Sequence, residues 1–510
     1  AISAGANCSS SLASSASMLL LPQLLLSSAS ADISAAQPTL SLPLVRRRRH
    51  HPRATAHAAR HLSQAAPLPT AEAGPFFGSV SDDYVAPVTL GVGRGAQTFL
   101  LVADTGSSAV AVVGDPNLGC LRYLDTFDRC DTDRHVECLY GSGGWRGVDC
   151  HREVVLGGLE VRGYELAAVT WEQAFLMCPA SPDEGQGMPL RPDMLIEGIF
   201  GLSLFGLRGS TNTSVPLLHA LFAAHPKLRR AFGLQCCPFL VGSGKGGDGA
   251  MDIGGADPTH FRDEGGLGFA YAAVVAQELG YWGVDLIAVR LEGSPASLLR
   301  DDAQGEGTST ASTSTAIDAF GRAKYIVDSG TSLLLLRPRT FAALKAALLD
   351  AAGPKAPKAH HGFWKAAGCA STEQLDISTM PAILLTLRGA GGGKHVTLRL
   401  PASRYLRRQR AVACEVAAGA GGSEEYWLGV APIAEGNNGI LGQVLFEEYY
   451  VYHELGDDGL DPRPPSSSAP SASAGSAAPA DSDPPPESRA ASRASTPSGD
   501  CSSARDCAGD

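Results

Sequence analysis

A chain of 510 residues, 44% of them hydrophobic and 18% charged, is long enough for two or more domains and is too apolar to be disordered throughout. A formal net charge of −11, with no basic stripe outside one short segment, argues against a nucleic-acid-binding protein. Twelve cysteines without paired C-x-x-C spacing or an H-E-x-x-H motif argue against a zinc site and favour disulfides in an oxidising compartment.

The first 74 residues differ in composition from the rest and are predicted to be targeting and processing segments. Residues 1–31 have the pattern of a signal or targeting segment, because MLLLPQLLLSSASA from Met18 has a short apolar core and then small residues up to Ala31. Residues 32–74 contain the basic run VRRRRHHPR and are interpreted as a propeptide-like leader rather than a solvated basic stretch. A plastid transit peptide is the alternative for this region.

Residues 75–455 have the pattern of an all-β protein, since short apolar runs are interrupted by Gly, Pro and Asp. Two helices are predicted within them. One starts at Ser214 with Pro216 in its first turn, and the other opens at Pro338 and carries an apolar face. Residues 301–315 are predicted to be a low-complexity surface insertion, and residues 456–510 a disordered tail rich in Pro, Ser and Ala. No apolar run approaches the length of a membrane span.

The apolar strand predicted in FLLVADTGSSAV, residues 99–110, ends on Asp104. A buried carboxylate is costly unless it is paired or hydrogen-bonded, so this acid needs a reason. A second copy of the pattern, YIVDSGTSLLLL, places Asp328 in the same context, and each copy is followed by a similar element, EGIFGLS or NGILGQ. The repeat predicts two related lobes, in each of which a strand ends on an aspartate.

These paired motifs resemble the two lobes of a pepsin-type aspartic protease, and most of all its memapsin (β-secretase) branch. As in that branch, Ala111 stands where most pepsins have a tryptophan, and YGSGGWRG keeps the spacing of the flap. FGLQCC, GAMDIGGAD, GYWGVDLIAVRLEG, HGFWKAAGC and LPASRYL follow in matching order. The resemblance implies an all-β, bilobal fold of two pseudo-twofold-related β lobes with a central cleft and a few short helices. The N-terminal lobe is expected at residues 75–258 and the C-terminal lobe at 259–455.

The resemblance implies that Asp104 and Asp328 are catalytic and hold a water between them. Two carboxylates at close range share one proton and titrate as a unit. One removes a proton from the water while the other donates to the scissile carbonyl oxygen. Six neighbouring residues are expected to support the two aspartates. They would form tight turns, donate hydrogen bonds from their hydroxyl groups and link the two lobes: Thr105, Gly106, Ser107, Ser329, Gly330 and Thr331.

A flap over the substrate is expected at Tyr140, Gly141 and Ser142, although one aromatic beside glycines also suits an ordinary hairpin. Trp145 is predicted to brace Tyr140 in place of the tryptophan missing at Ala111. A peptide in the cleft would lie extended, with alternate side chains in pockets. No cofactor and no metal ion is predicted.

The cysteines follow the family only in part. The resemblance implies a disulfide between Cys369 and Cys414. Four further cysteines lie between the first motif and the flap, where they could form two local bridges of undetermined connectivity: Cys120, Cys130, Cys138 and Cys150. Asn212 begins a glycosylation sequon. The last strand also departs from the family, because YYVYHELGDDGL does not continue into a final apolar strand.

The sequence therefore predicts a monomeric aspartic endopeptidase that is made as a zymogen and acts on polypeptides, with no nucleic-acid partner. The expected location is the secretory pathway, outside the cell or in a vacuole or lysosome, with a plastid as the alternative. A non-catalytic binding or inhibitor protein on the same scaffold is the alternative function. The altered last strand favours this alternative, whereas the intact aspartates and hydroxyls count against it.

Overall fold

The computed structural model describes residues 2–3, 39–48, 82–118, 122–125, 129–140, 143–173, 196–204, 215–237, 249–261, 269–275, 277–299, 324–365, 369–392, 394–410, 424–434 and 437–455. Strands dominate these residues and form three sheets. The predicted all-β class is therefore confirmed. The predicted insertion at 301–315 and the predicted tail at 456–510 lie outside the described residues.

The apolar runs that the sequence interrupts with Gly, Pro and Asp form the strands. In chain order the strands are β1 (Ile2–Ser3), β2 (Leu40–Arg48), β3 (Asp82–Leu90), β4 (Gln97–Asp104), β5 (Val110–Val113), β6 (Cys130–Tyr140), β7 (Gly143–Leu156), β8 (Leu159–Gln173), β9 (Gly198–Gly201), β10 (Ala231–Gln235), β11 (Gly249–Ile253), β12 (Val274–Val275), β13 (Gly283–Leu291), β14 (Lys324–Val327), β15 (Leu334–Leu336), β16 (Cys369–Ser371), β17 (Ile383–Leu387), β18 (Val396–Leu400), β19 (Leu406–Arg410), β20 (Glu424–Leu428), β21 (Val430–Pro432), β22 (Gly439–Leu441) and β23 (Tyr450–Glu454).

Twelve strands form the first sheet, in the order β1-β23-β10-β11-β2-β3-β4-β9-β5-β8-β7-β6, with a further pairing between β3 and β7. Eight strands form the second, in the order β18-β17-β13-β14-β22-β15-β21, with β12 beside β13. A small third sheet has the order β16-β20-β19. These sheets build the two β lobes of the predicted bilobal, pepsin-like fold.

The same four-strand arrangement occurs once in each large sheet. Strand β4 pairs in parallel with β9, which pairs antiparallel with β5, and β5 pairs in parallel with β8. In the second sheet, β14, β22, β15 and β21 repeat these pairings in the same order and sense. The repeat that the two Asp-containing motifs predict is therefore a repeat of topology, and each motif follows the first strand of its set.

The region predicted to be a leader contains a strand that the sequence did not predict. Strand β2 lies between β11 and β3 and pairs antiparallel with both. Leu42 and Leu44 are buried in the core, while the alternate residues Ser41 and Pro43 are exposed. This alternation is that of a strand with one face on the core. Strand β2 is thus part of the first sheet, and Leu42 and Leu44 are part of the core.

The altered C-terminal sequence also forms a strand of the first sheet. Strand β23 pairs antiparallel with β10, where His453 lies opposite Phe232, and with β1. The departure from the family pattern therefore leaves this strand paired on both sides. Since β2 and β23 join the sheet of the N-terminal half, the lobe limits at 75–258 and 259–455 remain predictions.

Four α-helices occur in the described residues: α1 (Leu217–Ala224), α2 (Pro338–Ala352), α3 (Ala402–Tyr405) and α4 (Gln443–Phe446). The predicted start of the first helix at Ser214 is wrong, because α1 begins at Leu217 and Pro216 takes the capping position without a side-chain cap. The predicted second helix is confirmed, since Pro338 occupies its first turn and the helix buries the predicted apolar face: Phe341, Leu344 and Leu348. Short 3-10 turns lie at Gly93–Gly95, Pro116–Leu118, Gln277–Leu279, Gly362–Lys365, Ile377–Thr379 and Ala390–Gly392.

Membrane insertion by a helix finds no support in the described ranges, where no helix has both the length and the apolar character that a bilayer span requires.

Candidate active site

The two predicted aspartates stand at the ends of equivalent strands. Strand β4 ends on Asp104, and Asp328 directly follows β14. Two residues further on, a glycine donates its backbone N–H to each carboxylate: Gly106 N lies 2.7 Å from Asp104 Oδ1, and Gly330 N lies 2.8 Å from Asp328 Oδ1. Hydrogen bonds to a charged acceptor are among the strong ones, so each turn fixes its own carboxyl group.

The two carboxyl groups face each other across the lobes. A Cβ placed on Gly106 would lie 2.7 Å from Asp328 Cγ, and a Cβ placed on Gly330 would lie 2.4 Å from Asp104 Oδ1. Each glycine therefore touches the aspartate of the opposite turn and leaves no space for a side chain. Asp104 is only 6% exposed and Asp328 only 8%. The folded chain thus brings both acids into one nearly buried site.

Burial raises the pKa of Asp104 well above its ordinary value, and the charge of Asp328 and a hydrogen bond with that carboxyl raise it further. The N–H of Gly106 and the hydroxyl of Ser107 lower it, but their effect is smaller. Two like charges in contact cannot both ionise readily, so Asp104 keeps its proton at pH values where an isolated aspartate has lost it. This is the protonation state that acid–base chemistry between the two groups requires.

The residues next to the aspartates link the two turns through their hydroxyl groups. Thr105 Oγ1 donates to Val327 O at 2.9 Å and accepts from Ser329 N at 2.9 Å. Ser329 Oγ donates to Ala103 O at 2.6 Å and accepts from Thr105 N at 3.0 Å. Both hydroxyls are buried, and all four hydrogen bonds cross from one lobe to the other. This network holds the floor of the site together beneath the carboxyl groups.

The outer hydroxyls differ between the two turns. Thr331 Oγ1 donates to Asp328 Oδ2 at 2.6 Å. Ser107 Oγ lies close enough to Asp104 to lower the pKa of that carboxyl, but it has no hydrogen-bond partner of suitable geometry among the described residues. The two halves are therefore equivalent in backbone but not in their side-chain hydrogen bonds.

The predicted flap is a hairpin at the edge of the first sheet. Tyr140 ends β6, and Trp145 on β7 donates from Nε1 to Tyr140 Oη at 3.2 Å. Trp145 is fully buried in an apolar cluster that also contains Ala111. Burial raises the pKa of Tyr140 well above its ordinary value, with smaller contributions from Cys138 and Asp104, so Tyr140 lies near Asp104. Gly141 and Ser142 lie outside the described residues.

Tyr281 also lies near the aspartate pair, although no sequence motif assigns it a role. Burial raises the pKa of Tyr281 to about 12, and Cys138, Asp328 and Asp104 add to the increase. The aromatic pair in GYWGVDLIAV, which carried part of the family resemblance, is the sequence signal that could have pointed to it. Its position beside the aspartates depends on how the two lobes pack, which no local pattern reveals.

The cysteines of the flap region form one disulfide. Cys130 on β6 is bonded to Cys150 on β7, at the base of the flap hairpin. Cys138 keeps its thiol, so the two local bridges that the sequence allowed are not both present. Cys369 is disulfide-bonded, but its predicted partner Cys414 lies outside the described residues, as does Asn212.

Among the described residues, one group offers ligand atoms for a metal ion: Asp252, Asp257 and His260, whose ligand atoms lie within 4.8 Å of one another. The Asp252 carboxylate already accepts hydrogen bonds from Tyr450 Oη at 2.7 Å and from the backbone N of Asp257 at 3.0 Å, and His260 Nδ1 lies 3.0 Å from both of its oxygens. These contacts account for the buried carboxylate without an ion.

Comparison with known proteins bears on the family of the chain. A family model described as eukaryotic aspartyl protease matches residues 83–461. Polyporopepsin from Irpex lacteus is 26% identical over 281 residues, which are 53% of this chain and 74% of that protein. Mucorpepsin from Rhizomucor pusillus is 26% identical over 295 residues, 53% of this chain and 57% of that protein. A β-secretase from Strongylocentrotus purpuratus is 22% identical over 388 residues, 71% of this chain and 63% of that protein.

Proposed function

The chain belongs to the eukaryotic aspartyl protease family, and on that premise we propose that it is an aspartic endopeptidase whose catalytic pair is Asp104 and Asp328. One observation carries the proposal. The two carboxyl groups face each other in a nearly buried site, each fixed by a glycine N–H and each in contact with the glycine of the other turn.

In the proposed reaction a water bound between the carboxyl groups attacks the scissile peptide carbonyl. The ionised member of the pair takes a proton from the water, and the protonated member donates its proton to the carbonyl oxygen. As the C–N bond of the tetrahedral intermediate breaks, the protonated carboxyl group donates its proton to the leaving amine, and the ionised one takes a proton from a hydroxyl of the intermediate. The pair therefore again holds one proton. Because the reaction needs one protonated carboxyl group, we expect activity to fall as the pH rises through the raised pKa of Asp104.

The other predicted site residues have supporting roles in this proposal. Thr105 and Ser329 position the two turns against each other, and Thr331 orients the outer oxygen of Asp328. Tyr140 would lie over the substrate, held by Trp145. A substrate polypeptide would bind extended between the flap and the pair, with hydrogen bonds through its main chain.

A memapsin-like flap is part of the proposal. It is supported by the hydrogen bond from Trp145 to Tyr140 and by the burial of Trp145 in the cluster that contains Ala111. The overall identities to known relatives do not favour this branch over other pepsin-like proteases. The flap geometry is therefore the better guide to this feature.

The proposal also includes secretion, processing of residues 32–74 as a zymogen leader, glycosylation at Asn212 and a monomeric state. The Cys130–Cys150 disulfide supports an oxidising compartment rather than a reducing one. The alternative, a non-catalytic binding protein, loses its main sequence support because β23 is paired on both sides despite its altered sequence.

Cleavage of a fluorescence-quenched peptide library between pH 3 and 8 tests the proposal. We expect cleavage in the acid range, inhibition by pepstatin, and complete loss of cleavage on Asp104→Asn. The exposed Asp125→Asn variant is the matched control and should cleave like the wild type. Cleavage that survives Asp104→Asn would falsify the mechanism. A wild-type chain that binds pepstatin but cleaves nothing would favour the binding protein.

A further inference from the structure

We propose that Arg407 and Glu447 are positioning residues for the second catalytic turn, which they brace through a buried ion pair. The inference rests on the proposed function, because that turn carries Asp328. This ion pair is a charged support behind the proposed active site, and no sequence pattern around either residue indicates it.

The ion pair joins two elements behind the turn. Arg407 lies on β19 and Glu447 directly follows α4, and Arg407 Nη2 contacts Glu447 Oε1. The side chains are only 7% and 2% exposed, respectively. A second nitrogen of the same guanidinium, Nη1, donates to Ser332 O at 3.2 Å. Because the guanidinium is a planar fork, it can hold the glutamate and the turn at the same time.

Helix α4 also holds the second catalytic turn, through hydrogen bonds from its first residue. The backbone N of Gln443, its first residue, donates to Thr331 O at 2.7 Å, and Gln443 Nε2 donates to Ser329 O at 3.1 Å. At its other end, Glu447 N donates to Gln443 O at 2.8 Å. Arg407 and helix α4 therefore donate hydrogen bonds to three carbonyl oxygens of the second turn: those of Ser329, Thr331 and Ser332. The ion pair between Arg407 and Glu447 connects β19 with helix α4.

The ion pair also reaches the first sheet. Tyr84 on β3 donates from its hydroxyl to Cys237 O at 2.8 Å, and the same hydroxyl lies 3.2 Å from Glu447 Oε1. A phenol has a single proton, so the two acceptors share it. Glu447 thereby connects a strand of the other lobe with the guanidinium that braces the second turn. The brace spans the interface across which the two aspartates must meet.

The catalytic consequence follows from the spacing along the turn. Ser332, which Arg407 holds, directly follows Thr331, whose hydroxyl lies 2.6 Å from Asp328 Oδ2. A shift of Ser332 moves this hydroxyl and, with it, the Asp328 carboxyl. Displacement of a catalytic group by 1 Å can reduce a rate by about 100-fold. We therefore expect loss of the brace to lower kcat rather than to weaken substrate binding.

The test is Arg407→Lys, which keeps the positive charge but replaces the fork by a single ammonium group. We expect kcat per titrated active site to fall by about 10- to 100-fold, with KM unchanged. Arg404→Lys is the matched control. Arg404 on α3 pairs with Glu448 at 2.6 Å, between the same two parts of the chain, but this pair is partly exposed and its contact is outside the turn. It should leave kcat unchanged.

Arg407→Met combined with Glu447→Leu keeps the inference testable if Arg407→Lys folds poorly. An apolar replacement of a buried pair often preserves stability, so we expect a folded chain whose kcat is still reduced, because Ser332 O has lost its donor. Two results would overturn the inference: a wild-type kcat in either variant, or an equal loss of kcat in Arg404→Lys. If the wild type cleaves peptides and Asp104→Asn does not, the proposed function survives these results. A wild type without any cleavage overturns the proposed function and the inference together.

Discussion

The glycines of the two turns determine how closely the carboxyl groups can approach. A methyl group on Gly106 would lie 2.7 Å from Asp328 Cγ, which no real Cβ contact tolerates. We expect Gly106→Ala to displace Asp328 and to lower kcat by at least about 100-fold while the chain still folds. Peptide cleavage and thermal melting together measure this. Gly95→Ala, where an added Cβ meets nothing within 4 Å, should change neither quantity. Full activity of Gly106→Ala would show that the site accepts the added methyl group without displacement of Asp328, which would contradict the prediction.

His453 makes the first sheet sensitive to acid. Its ring is stacked 4.5 Å from Phe232 and lies 4.7 Å from Trp282, and neither ring nitrogen has a hydrogen-bond partner among the described residues. Burial lowers the pKa of His453 well below its ordinary value. The unfolded chain therefore binds a proton that the folded chain does not, so this site's stability is complete above pH 6.5 and is lost as the pH falls below it.

We expect His453→Phe to raise the free energy of unfolding by roughly 1–3 kcal/mol, because it removes buried polar atoms that lack partners. The gain should be larger at pH 4.5 than at pH 7.5, since phenylalanine cannot take up a proton. Urea unfolding at the two pH values measures it. His360→Phe, at an exposed position, should produce no such pH-dependent gain. An equal change at both pH values would mean that His453 is not the acid-sensitive group.

Single residues differ in how far sequence could identify them. Asp104 and Asp328 were recognisable because each lies in a short local pattern and because the pattern occurs twice. Arg407 and Tyr281 were not, since their importance comes from contacts with residues far away in the chain: Ser332 O for Arg407 and the aspartate pair for Tyr281. A repeated motif exposes a catalytic group, whereas a brace has no motif of its own.

The flap hairpin contains a buried carboxylate at its base. Asp149 on β7 is only 1% exposed, and Arg134 on β6 lies 2.8 Å from it and 2.9 Å from Glu165 on β8. Burial raises the pKa of Asp149 to about 6, and Glu165 contributes to the increase, while Arg134 and His151 oppose it. The folded chain thus binds a proton more tightly than the unfolded chain, so this site's stability is complete below about pH 4 and is lost as the pH rises through about 6.

We expect Asp149→Asn to remove that pH dependence. The difference in melting temperature between Asp149→Asn and the wild type should increase in favour of the variant from pH 4 to pH 7, because only the wild type must ionise a buried acid. Hydrogen exchange of β6 and β7 at both pH values locates the effect. Asp131→Asn is the control, since Asp131 lies opposite Asp149 in the hairpin but is exposed. A constant difference across the pH range would contradict the prediction.

At the scale of elements, sequence predicted strands and helices whose signal is local. Strand β4 and helix α2 were expected from an apolar run and from an apolar face behind a proline. Strand β2 was not, because its basic residues suggested a processed leader and because its partners, β11 and β3, include a segment some two hundred residues away. Pairing between strands that are far apart in the chain leaves little trace in the sequence of either strand. For β2 the only local signal is the alternation of leucines at 40, 42 and 44.

At the scale of the whole molecule, the first sheet joins early and late segments of the described residues. The first sheet takes β2 from the leader, β10 and β11 from the middle of the chain, and β23 from the end of the described residues. Strand β2 lies inside this order, with a paired strand on each side. Its removal would leave two strands with unpaired backbone groups and would uncover the core at Leu42 and Leu44. Removal of residues 32–74, which we propose to be a zymogen leader, would therefore lower the stability of the fold.

We expect a chain that begins at residue 75 to melt at a lower temperature than the full chain, because loss of two buried leucines and of a strand's hydrogen bonds is costly. A synthetic peptide of residues 39–48 should restore the melting temperature in a saturable way, since a ligand that binds only the folded state stabilises it by mass action. The same peptide with Leu42 and Leu44 changed to serine should not. A shortened chain that folds only with the peptide is the stronger form of the expected result. One that melts like the full chain and ignores the peptide would show that β11 and β3 are satisfied without β2, and that the leader's strand contributes no stability to the fold.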